Sequence, residues 1–393
     1  MDAVAAAARE SYGRIVATLI RVTRDWDLAE DCAQEALAAA LEKWPATGVP
    51  ANPGGWLMTV ARNRATDVLR RSAVEGRKLA ELAVLTSPPE NEEGEVEDDR
   101  LRLIFTACHP ALALEARVAL TLRTVCGVPT AEIGRVFLTS ESTMTRRLTR
   151  AKTKIAKAGI PYRVPDGPAL GERLPGVLAV VYLLFTQGYN ADGNPAFADE
   201  AIRLGRLLRR LMPDQPEVAG LLALCLFQHS RRDARRDADG TPLTLDRQDR
   251  TRWDHAAIAE ARVLIAAVPA AGPYGVQARI AAEHTAEVTD WPAVARWYDL
   301  LAEIQPSPVV RLNRAVAHGF AVGPAAGLAL IAEARGSGML DDYAPATAAE
   351  AELTARAGDP RAAEALFRAA ADLASSPAEQ RALLARAAEM ETR

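Results

Sequence analysis

Hydrophobic residues recur at helical spacing along most of the chain, and the pattern is clearest between Trp56 and Arg71. Apolar positions three and four residues apart predict a helix with one face in a core. These positions are Leu57, Val60, Ala61, Ala65 and Val68. The opposite side carries Trp56, Thr59, Asn63, Thr66, Asp67 and Arg70. Asn52 and Pro53 predict the N-cap and first turn of this helix. An exposed indole beside amide and guanidinium groups offers ring stacking, base-edge hydrogen bonds and phosphate contacts.

The segment before it predicts a second amphipathic helix, whose polar side is acidic. Its predicted buried stripe is Leu28, Cys32, Ala36, Leu37, Ala40, Leu41 and Trp44. The other side carries Asp27, Asp31, Gln34, Glu35 and Glu42. Asp27 and Glu30 have the spacing of a capping box. An acidic helix followed by one bearing Trp and Arg suggests two partners, a basic protein surface and a nucleic acid. Either helix alone would be interpreted as an ordinary solvated helix.

A short helix, a tight turn and a basic helix are predicted further along. The short helix covers residues 131–138, and Thr139 and Ser140 form the turn that caps the next helix. The basic helix is predicted to bury Met144, Leu148, Ala151 and Ile155, and to expose Ser142, Thr143, Arg146, Thr149 and Arg150. This layout is that of a helix-turn-helix, whose second helix lies in the major groove. Its arginines suit guanine edges or phosphates.

Beyond a Pro- and Gly-rich connector, the remaining chain is predicted to form paired helices with short turns, typical of an α-solenoid. The predicted helices are 176–189, 198–212, 216–229, 254–268, 274–287, 291–304, 308–319, 325–335, 345–357, 361–374 and 378–391. Ala363, Phe367 and Ala370 have the spacing of the second helix of a tetratricopeptide (TPR) repeat, although the full signature is absent. The polar insertion 231–252 is predicted to be a surface loop that ends at an N-cap, Asp254, with a contact site for other domains as the alternative.

Composition agrees with a helical protein and narrows its location. The chain has 393 residues, enough for two or three domains, with 49% hydrophobic but only 5% aromatic residues. Its most apolar stretch, 176–185, is shorter than the roughly 20 residues that span a bilayer. The N-terminus lacks the layout of a signal peptide. We therefore expect a cytoplasmic protein with no membrane partner.

The net charge is −4, but the charged residues are unevenly distributed along the chain. Seven of the ten residues 90–99 are acidic and none is basic, which predicts a flexible, self-repelling linker. Residues 135–157 carry seven basic residues against Glu141 alone. Nucleic acid would respond to this local field rather than to the net charge.

The sequence offers no pattern typical of catalysis or metal binding. The four cysteines form no C-x-x-C pair, and the five histidines lie far apart. Walker, G-x-S-x-G and H-E-x-x-H motifs are absent from the sequence. We predict no catalytic residue, no metal and no cofactor.

Three of these segments together resemble a known family. Asp27-Leu-Ala-Glu-Asp-Cys-Ala-Gln-Glu35 and the run from Trp56 to Arg71 resemble region 2 of the sigma-70 family, in its extracytoplasmic-function (ECF) branch. The run from Ser142 to Lys152 resembles region 4. Leu103-Ile-Phe-Thr-Ala-Cys-His-Pro110 and the long tail resemble an ECF subgroup with a C-terminal TPR-like extension. Arg146-Arg147 stands where such sequences often carry Ser-Arg, so base specificity cannot be transferred.

The resemblance implies an all-α protein with two small helical sigma domains and a TPR-like C-terminal domain. The expected division is 1–75 for region 2, 76–100 for an acidic linker, 101–160 for the helix-turn-helix region 4, 161–175 for a connector and 176–393 for the extension.

By the same resemblance, the protein is a promoter-specificity factor and not an enzyme, because the polymerase supplies the chemistry. Bacterial core RNA polymerase would be bound by Asp27, Asp31, Gln34 and Glu35. The promoter −10 element would be bound by Trp56, Asn63, Asp67, Arg70 and Arg71, and residues 44–53 would capture a flipped base. The −35 element would be bound by Ser142, Thr143, Arg146, Arg147 and Arg150.

The extension is expected to modulate activity, in place of or beside an anti-sigma factor or another regulatory protein. Two alternatives stay open at this point: a helix-turn-helix regulator that works without polymerase, and a TPR-like peptide-binding scaffold.

Overall fold

The secondary structure is helical throughout. The computed structural model describes residues 2–72, 92–137, 139–189, 195–270, 272–336 and 338–391. Within these ranges there is no β-strand, and an isolated bridge joins Arg236 to Pro242. The all-α class is therefore confirmed. The chain divides into two compact units, Met1–Leu211 and Met212–Arg393, here called unit 1 and unit 2.

Unit 1 begins with three mutually packed helices and continues with six more in the described residues. They are α1 (Asp2–Thr23), α2 (Trp26–Thr47), α3 (Pro53–Ser72), α4 (Glu92–Ala107), α5 (Leu114–Thr124), α6 (Thr130–Val136), α7 (Glu141–Lys157), α8 (Gly167–Tyr189) and α9 (Pro195–Leu211). Helices α1, α2 and α3 contact one another pairwise. Ile15, Leu19 and Leu57 are fully buried, as helical periodicity in these segments requires.

Helix α4 corrects the prediction of an acidic linker over residues 76–100. Residues 76–91 lie outside the described residues, but the acidic run from Glu92 onward is helical. The helix is anchored at Asp99, which is fully buried and bound by Arg21 of α1 at 2.8 Å and by Arg102 at 2.9 Å. The sequence shows the like-charge repulsion within the run. It does not show that Arg21, from a distant helix, joins Arg102 in neutralising its last residue.

Helices α6 and α7 form the predicted helix-turn-helix. Ser140 is the N-cap of α7, and its hydroxyl accepts a hydrogen bond from the Thr143 amide at 3.2 Å. The predicted apolar stripe of α7 is buried, namely Met144, Leu148, Ala151 and Ile155. It packs on α5 and α6.

Helix α8 begins at Gly167, inside the segment predicted as a connector, and continues through Pro175. A proline removes one helical hydrogen bond. Burial of Leu174, Val177 and Leu178 around it holds the helix together. By length and composition alone, α8 could cross a membrane. It packs against α4, α5 and α9. The domain boundaries stay a prediction, and the hairpin α8–α9, expected within the connector and the extension, lies in unit 1.

Unit 2 is a succession of helices in which most neighbours along the chain pack on each other. They are α10 (Pro216–His229), α11 (His255–Ala266), α12 (Pro273–Glu283), α13 (Trp291–Ile304), α14 (Pro308–Ala321), α15 (Pro324–Arg335), α16 (Ala344–Arg356), α17 (Pro360–Asp372) and α18 (Pro377–Glu391). Every consecutive pair from α12 to α18 is in contact. The short turns make the neighbours antiparallel, which is the paired-helix organisation expected of a TPR-like domain. Ala363, Phe367 and Ala370 are buried, as their spacing predicted.

The polar insertion between α10 and α11 is an ordered loop with three short 3₁₀ turns: Arg232–Ala234, Leu245–Arg247 and Arg250–Arg252. Asp237 accepts hydrogen bonds from the Asp239 and Thr241 amides. The predicted N-cap is confirmed, since the Asp254 carboxylate accepts from the Ala257 amide at 2.9 Å.

Candidate functional site

Helix α3 presents the residues expected to contact the −10 element along one side. The Asn52 side chain caps the helix by accepting from the Gly55 amide at 2.8 Å. Asn63, Asp67, Arg70 and Arg71 are exposed. At 3.6 residues per turn, all four lie within about 60° of Trp56 around the helix, so they share a face with it. The arrangement leaves amide, carboxylate and guanidinium groups accessible from a single direction.

Two details of this surface differ from the prediction. Trp56 is half-buried, because its ring meets the Trp44 ring edge-on with centroids 5.5 Å apart. Thr66 was expected on the polar side but is buried, and its hydroxyl donates to the Arg62 carbonyl at 2.8 Å. The exposed side of α3 is therefore narrower than the sequence indicates, and the Trp56 indole packs against the Trp44 ring.

The loop that was expected to capture a flipped base is also shorter than predicted. Helix α2 continues through Pro45 to Thr47, and Trp44 is buried within it, as its place in the apolar stripe of α2 predicted. Residues 48–52 are left as the loop between α2 and α3.

Helix α2 carries the residues expected to bind polymerase. Asp27, Asp31, Gln34 and Glu35 are exposed and occupy one side of the helix. Glu35 is paired with Arg64 of α3, and Asp27 accepts from the Lys152 ammonium of α7 at 2.8 Å. Leu41, predicted in the buried stripe, is 49% exposed. Asp31 and Gln34 therefore form the open centre of the acidic surface.

The predicted capping box at Asp27 and Glu30 is wrong. The N-cap is Asp25, whose carboxylate accepts from the Asp27 and Leu28 amides at 3.0 Å each. Glu30 is only 5% exposed, and its carboxylate binds Arg123 Nε of α5 at 2.7 Å and Lys152 Nζ of α7 at 2.6 Å. Sequence reasoning missed this site because Arg123 lies 93 residues away and no local spacing signals the contact.

The charges around Glu30 change the pKa values of neighbouring side chains. Burial alone would lower the pKa of the Lys152 ammonium, but Glu30 and Asp27 outweigh it and raise the pKa. The same balance of burial against Glu30 raises the pKa of Arg123. Burial raises the pKa of nearby Tyr12 to about 12. Both cations therefore stay charged at neutral pH.

Helix α7 presents the residues expected to contact the −35 element. Ser142, Arg146 and Arg150 are exposed at four-residue intervals, so they share a face. Thr143 and Arg147 are half-buried. The Thr143 hydroxyl accepts from Ser140 at 2.9 Å, and the Arg147 guanidinium lies 5.8 Å from the centre of the Phe137 ring. Arg146 and Arg150 are thus the more available cations of the set.

Within the described parts of the chain, no three histidine, cysteine or carboxylate groups come together to hold a metal ion. The four cysteines are free and buried. Burial raises the pKa of the Cys32 and Cys108 thiols to about 11 and that of Cys126 to about 12.

Family comparisons match both N-terminal modules in the expected order. Sigma-70 region 2 matches residues 8–74, and sigma-70 region 4 matches residues 102–155. A family of unknown function (DUF6596) matches residues 173–268, which begin in α8. The residues expected to bind polymerase and DNA therefore fall inside the two sigma regions.

Two relatives match the chain over different lengths. An uncharacterized protein of Rhizobium meliloti (R00370) is 44% identical over 334 residues, which cover 80% of this chain and 78% of the relative. The probable RNA polymerase sigma factor RfaY of Xanthomonas campestris pv. campestris is 30% identical over 166 residues. That alignment covers 38% of this chain and 41% of RfaY.

Solved structures resemble the chain only distantly. Yeast Tom70 is 13% identical with a TM-score of 0.35, covering 99% of this chain and 86% of Tom70. The TPR domain of P58(IPK) is 12% identical with a TM-score of 0.26, covering 92% of this chain and 98% of that domain. Scores of this size do not establish a common fold. From its two sigma-70 regions and its similarity to a probable sigma factor, the chain belongs to the sigma-70 family, as an ECF-like sigma factor with a helical C-terminal extension.

Proposed function

We propose that this protein binds bacterial core RNA polymerase through the acidic side of α2 and directs initiation at promoters read by α3 and α7. The observation that carries the proposal is the presence of both sigma regions, in which most of the expected contact residues are exposed. It acts in the cytoplasm as a dissociable factor, and catalysis belongs to the polymerase.

Each surface has a separate role in this proposal. Asp27, Asp31, Gln34 and Glu35 bind core polymerase, with Asp31 and Gln34 as the accessible centre. The −10 element is contacted by Trp56, Asn63, Asp67, Arg70 and Arg71. The −35 element is contacted by Ser142, Thr143, Arg146, Arg147 and Arg150. Contacts to phosphates bind DNA of any sequence, and contacts to base edges give sequence specificity.

The C-terminal extension modulates this activity. Support comes from the hairpin α8–α9, which packs on α4 and α5 of the region-4 side. Arg173 of α8 donates to the Phe105 carbonyl and lies 5.8 Å from the Phe105 ring centre. A regulatory protein, such as an anti-sigma factor, would gain access to sigma region 4 through these helices.

Run-off transcription with purified core polymerase tests the proposal. The full-length protein is expected to confer initiation at its own promoter, whereas a helix-turn-helix regulator alone would bind DNA without supporting initiation. Asp31→Ala/Gln34→Ala is expected to weaken core binding about tenfold or more while leaving affinity for duplex DNA unchanged. Asp342→Ala/Gln380→Ala removes one carboxylate and one amide from exposed positions of unit 2 and is the matched control. Core binding that survives the α2 substitutions refutes the assignment of this surface.

A version ending after Leu211 tests the role of the extension. This end point keeps α8 and α9 packed on α4 and α5. A chain that ended near Gly159 would lack α8 and α9, and the surface of α4 and α5 that they cover would be exposed. We expect the shortened protein to differ from the full chain in initiation rate. Equal rates would refute modulation by residues 212–393.

A further inference from the structure

The polymerase-binding helix and the −35-reading helix are joined directly by ion pairs inside unit 1. Lys152 of α7 lies between two carboxylates of α2, 2.6 Å from Glu30 and 2.8 Å from Asp27. Arg123 of α5 binds the same Glu30 carboxylate at 2.7 Å. Side-chain exposure is 14% for Lys152, 18% for Arg123 and 6% for Glu30. The two pairs with Glu30 are therefore screened much less than surface pairs, whereas the Asp27 side chain is 77% exposed and its pair with Lys152 is a surface pair.

The contact extends beyond the charges to close backbone packing. A Cβ atom on Gly13 of α1 would overlap the Val125 carbonyl at the end of α5. At the other end of the seam, the Tyr162 hydroxyl, just after α7, donates to the Ala17 carbonyl of α1 at 2.9 Å. The region-2 helices and the region-4 helices therefore form one closed body in this structure.

This closed arrangement conflicts with simultaneous reading of both promoter elements. By their names, the −10 and −35 elements are centred 25 base pairs apart, which is about 85 Å at about 3.4 Å per base pair. Helix α3 packs on α2, and α2 is bound to α7. Three helices of about 10–12 Å diameter, the longest of them about 33 Å long, keep the reading faces closer together than the promoter demands. The two modules must part before both elements can be bound.

The same contact also occupies part of the expected polymerase surface. Asp27 lies one turn from Asp31, and its carboxylate is already bound by Lys152. Polymerase that takes the acidic side of α2 must therefore compete with α7 for Asp27. Opening of the modules and engagement of core polymerase are coupled through one lysine.

We propose that the Glu30–Lys152–Arg123 cluster is a latch that holds the free protein closed, and that core polymerase releases it by displacing Lys152 from α2. This inference rests on the proposed function, since it takes the acidic side of α2 as the polymerase surface. It concerns the free full-length chain. If only open molecules bind core polymerase, the apparent Kd equals the intrinsic Kd divided by the fraction of molecules that are open.

Lys152→Ala tests the latch with purified core polymerase and the full-length chain. Loss of the doubly bound ammonium favours the open form, so the Kd for core is expected to fall about tenfold. Lys152→Arg keeps the charge and is expected to retain the wild-type Kd. Lys157→Ala, which removes the same charge from the exposed end of α7, is the matched control and is expected to stay within about twofold of wild type. Thermal melting verifies that each variant is folded.

Zero-length carbodiimide cross-linking measures the closed contact itself. Mass spectrometry is expected to find an amide between Lys152 and Asp27 in the free protein, and to find it lost with excess core polymerase. A cross-link that persists in the core complex overturns the proposal. Equal Kd values for wild type, Lys152→Ala and Lys157→Ala also overturn it, and leave the proposed function standing. If no form binds core at any salt concentration, the proposed function fails and the latch with it.

Discussion

Replacing Arg146 and Arg150 of α7 is expected to reduce the salt dependence of DNA binding by a calculable amount. Both side chains are exposed on the face that carries Ser142. The Arg146 Nε atom donates a 3.3 Å hydrogen bond to the Ser142 carbonyl, which aims the guanidinium along the start of the helix. Arg147 differs, because it is half-buried over Phe137. The two exposed arginines are therefore the ones best placed to neutralise phosphates.

The magnitude follows from counterion release. Each phosphate neutralised on B-DNA contributes about −0.9 to the slope of log K against log salt. Arg146→Ala/Arg150→Ala should make the slope shallower by about 1.8. Over a fourfold rise from about 50 to about 200 mM salt, the wild type should lose about twelve times more affinity than the double variant. Because phosphate contacts carry no sequence information, a duplex of arbitrary sequence is sufficient.

Fluorescence anisotropy of a labelled duplex, titrated with the full-length protein at several salt concentrations, provides the slopes. Arg361→Ala/Arg381→Ala is the matched control, since it removes the same charge from exposed positions of unit 2. The control is expected to keep the wild-type slope. If both double variants give one slope, α7 does not contact phosphates through these residues, and the assignment of the −35 surface fails.

Two further predictions concern unit 2. Burial, with a contribution from Arg231, lowers the pKa of His284 from 6.5 to about 4; the stability that the neutral ring provides is therefore complete above pH 6.5 and lost as the pH falls toward 4. Urea unfolding of wild type against His284→Gln should show the difference in unfolding free energy shrink by about 3 kcal/mol over that range, and a constant difference would contradict it. Gly220→Ala should cost about 1–3 kcal/mol, because its Cβ would lie 2.6 Å from the Gly275 amide nitrogen where α10 crosses α12. The control is Gly171→Ala, whose Cβ would have no neighbour within 4 Å. Thermal melting compares the two variants, and equal melting temperatures would show that the helices can move apart to accommodate the Cβ at position 220.

Local patterns in the sequence were sufficient to predict most helices and their caps. Asn52, Ser140 and Asp254 act on amides three residues ahead, so the information for each cap is contained in one turn of chain. The apolar stripe of α7 is equally local, because four residues at helical spacing specify it. These features needed no knowledge of distant partners.

Contacts over long sequence separations could not be predicted in this way. Asp99 belongs to a run that repels itself, yet it is buried because Arg21, 78 residues away, joins Arg102 in binding its carboxylate. Pro175 is a residue that usually ends or kinks a helix, yet burial of its neighbours keeps α8 continuous. Glu30 has the spacing of a capping residue, and tertiary structure gives it two cations instead.

Lys152 shows why a count of charges misjudges α7. By sequence it belongs to the same basic run as Arg146 and Arg150. At 3.6 residues per turn it lies about 120–160° around the helix from them, on the side that faces α2. One helix therefore carries the exposed cations that we propose bind DNA and, on another side, the cation that binds Glu30. If the two sides act independently, Arg146→Ala/Arg150→Ala should change the salt slope and leave the Kd for core unchanged. Lys152→Ala should do the reverse, since its charge does not face the duplex.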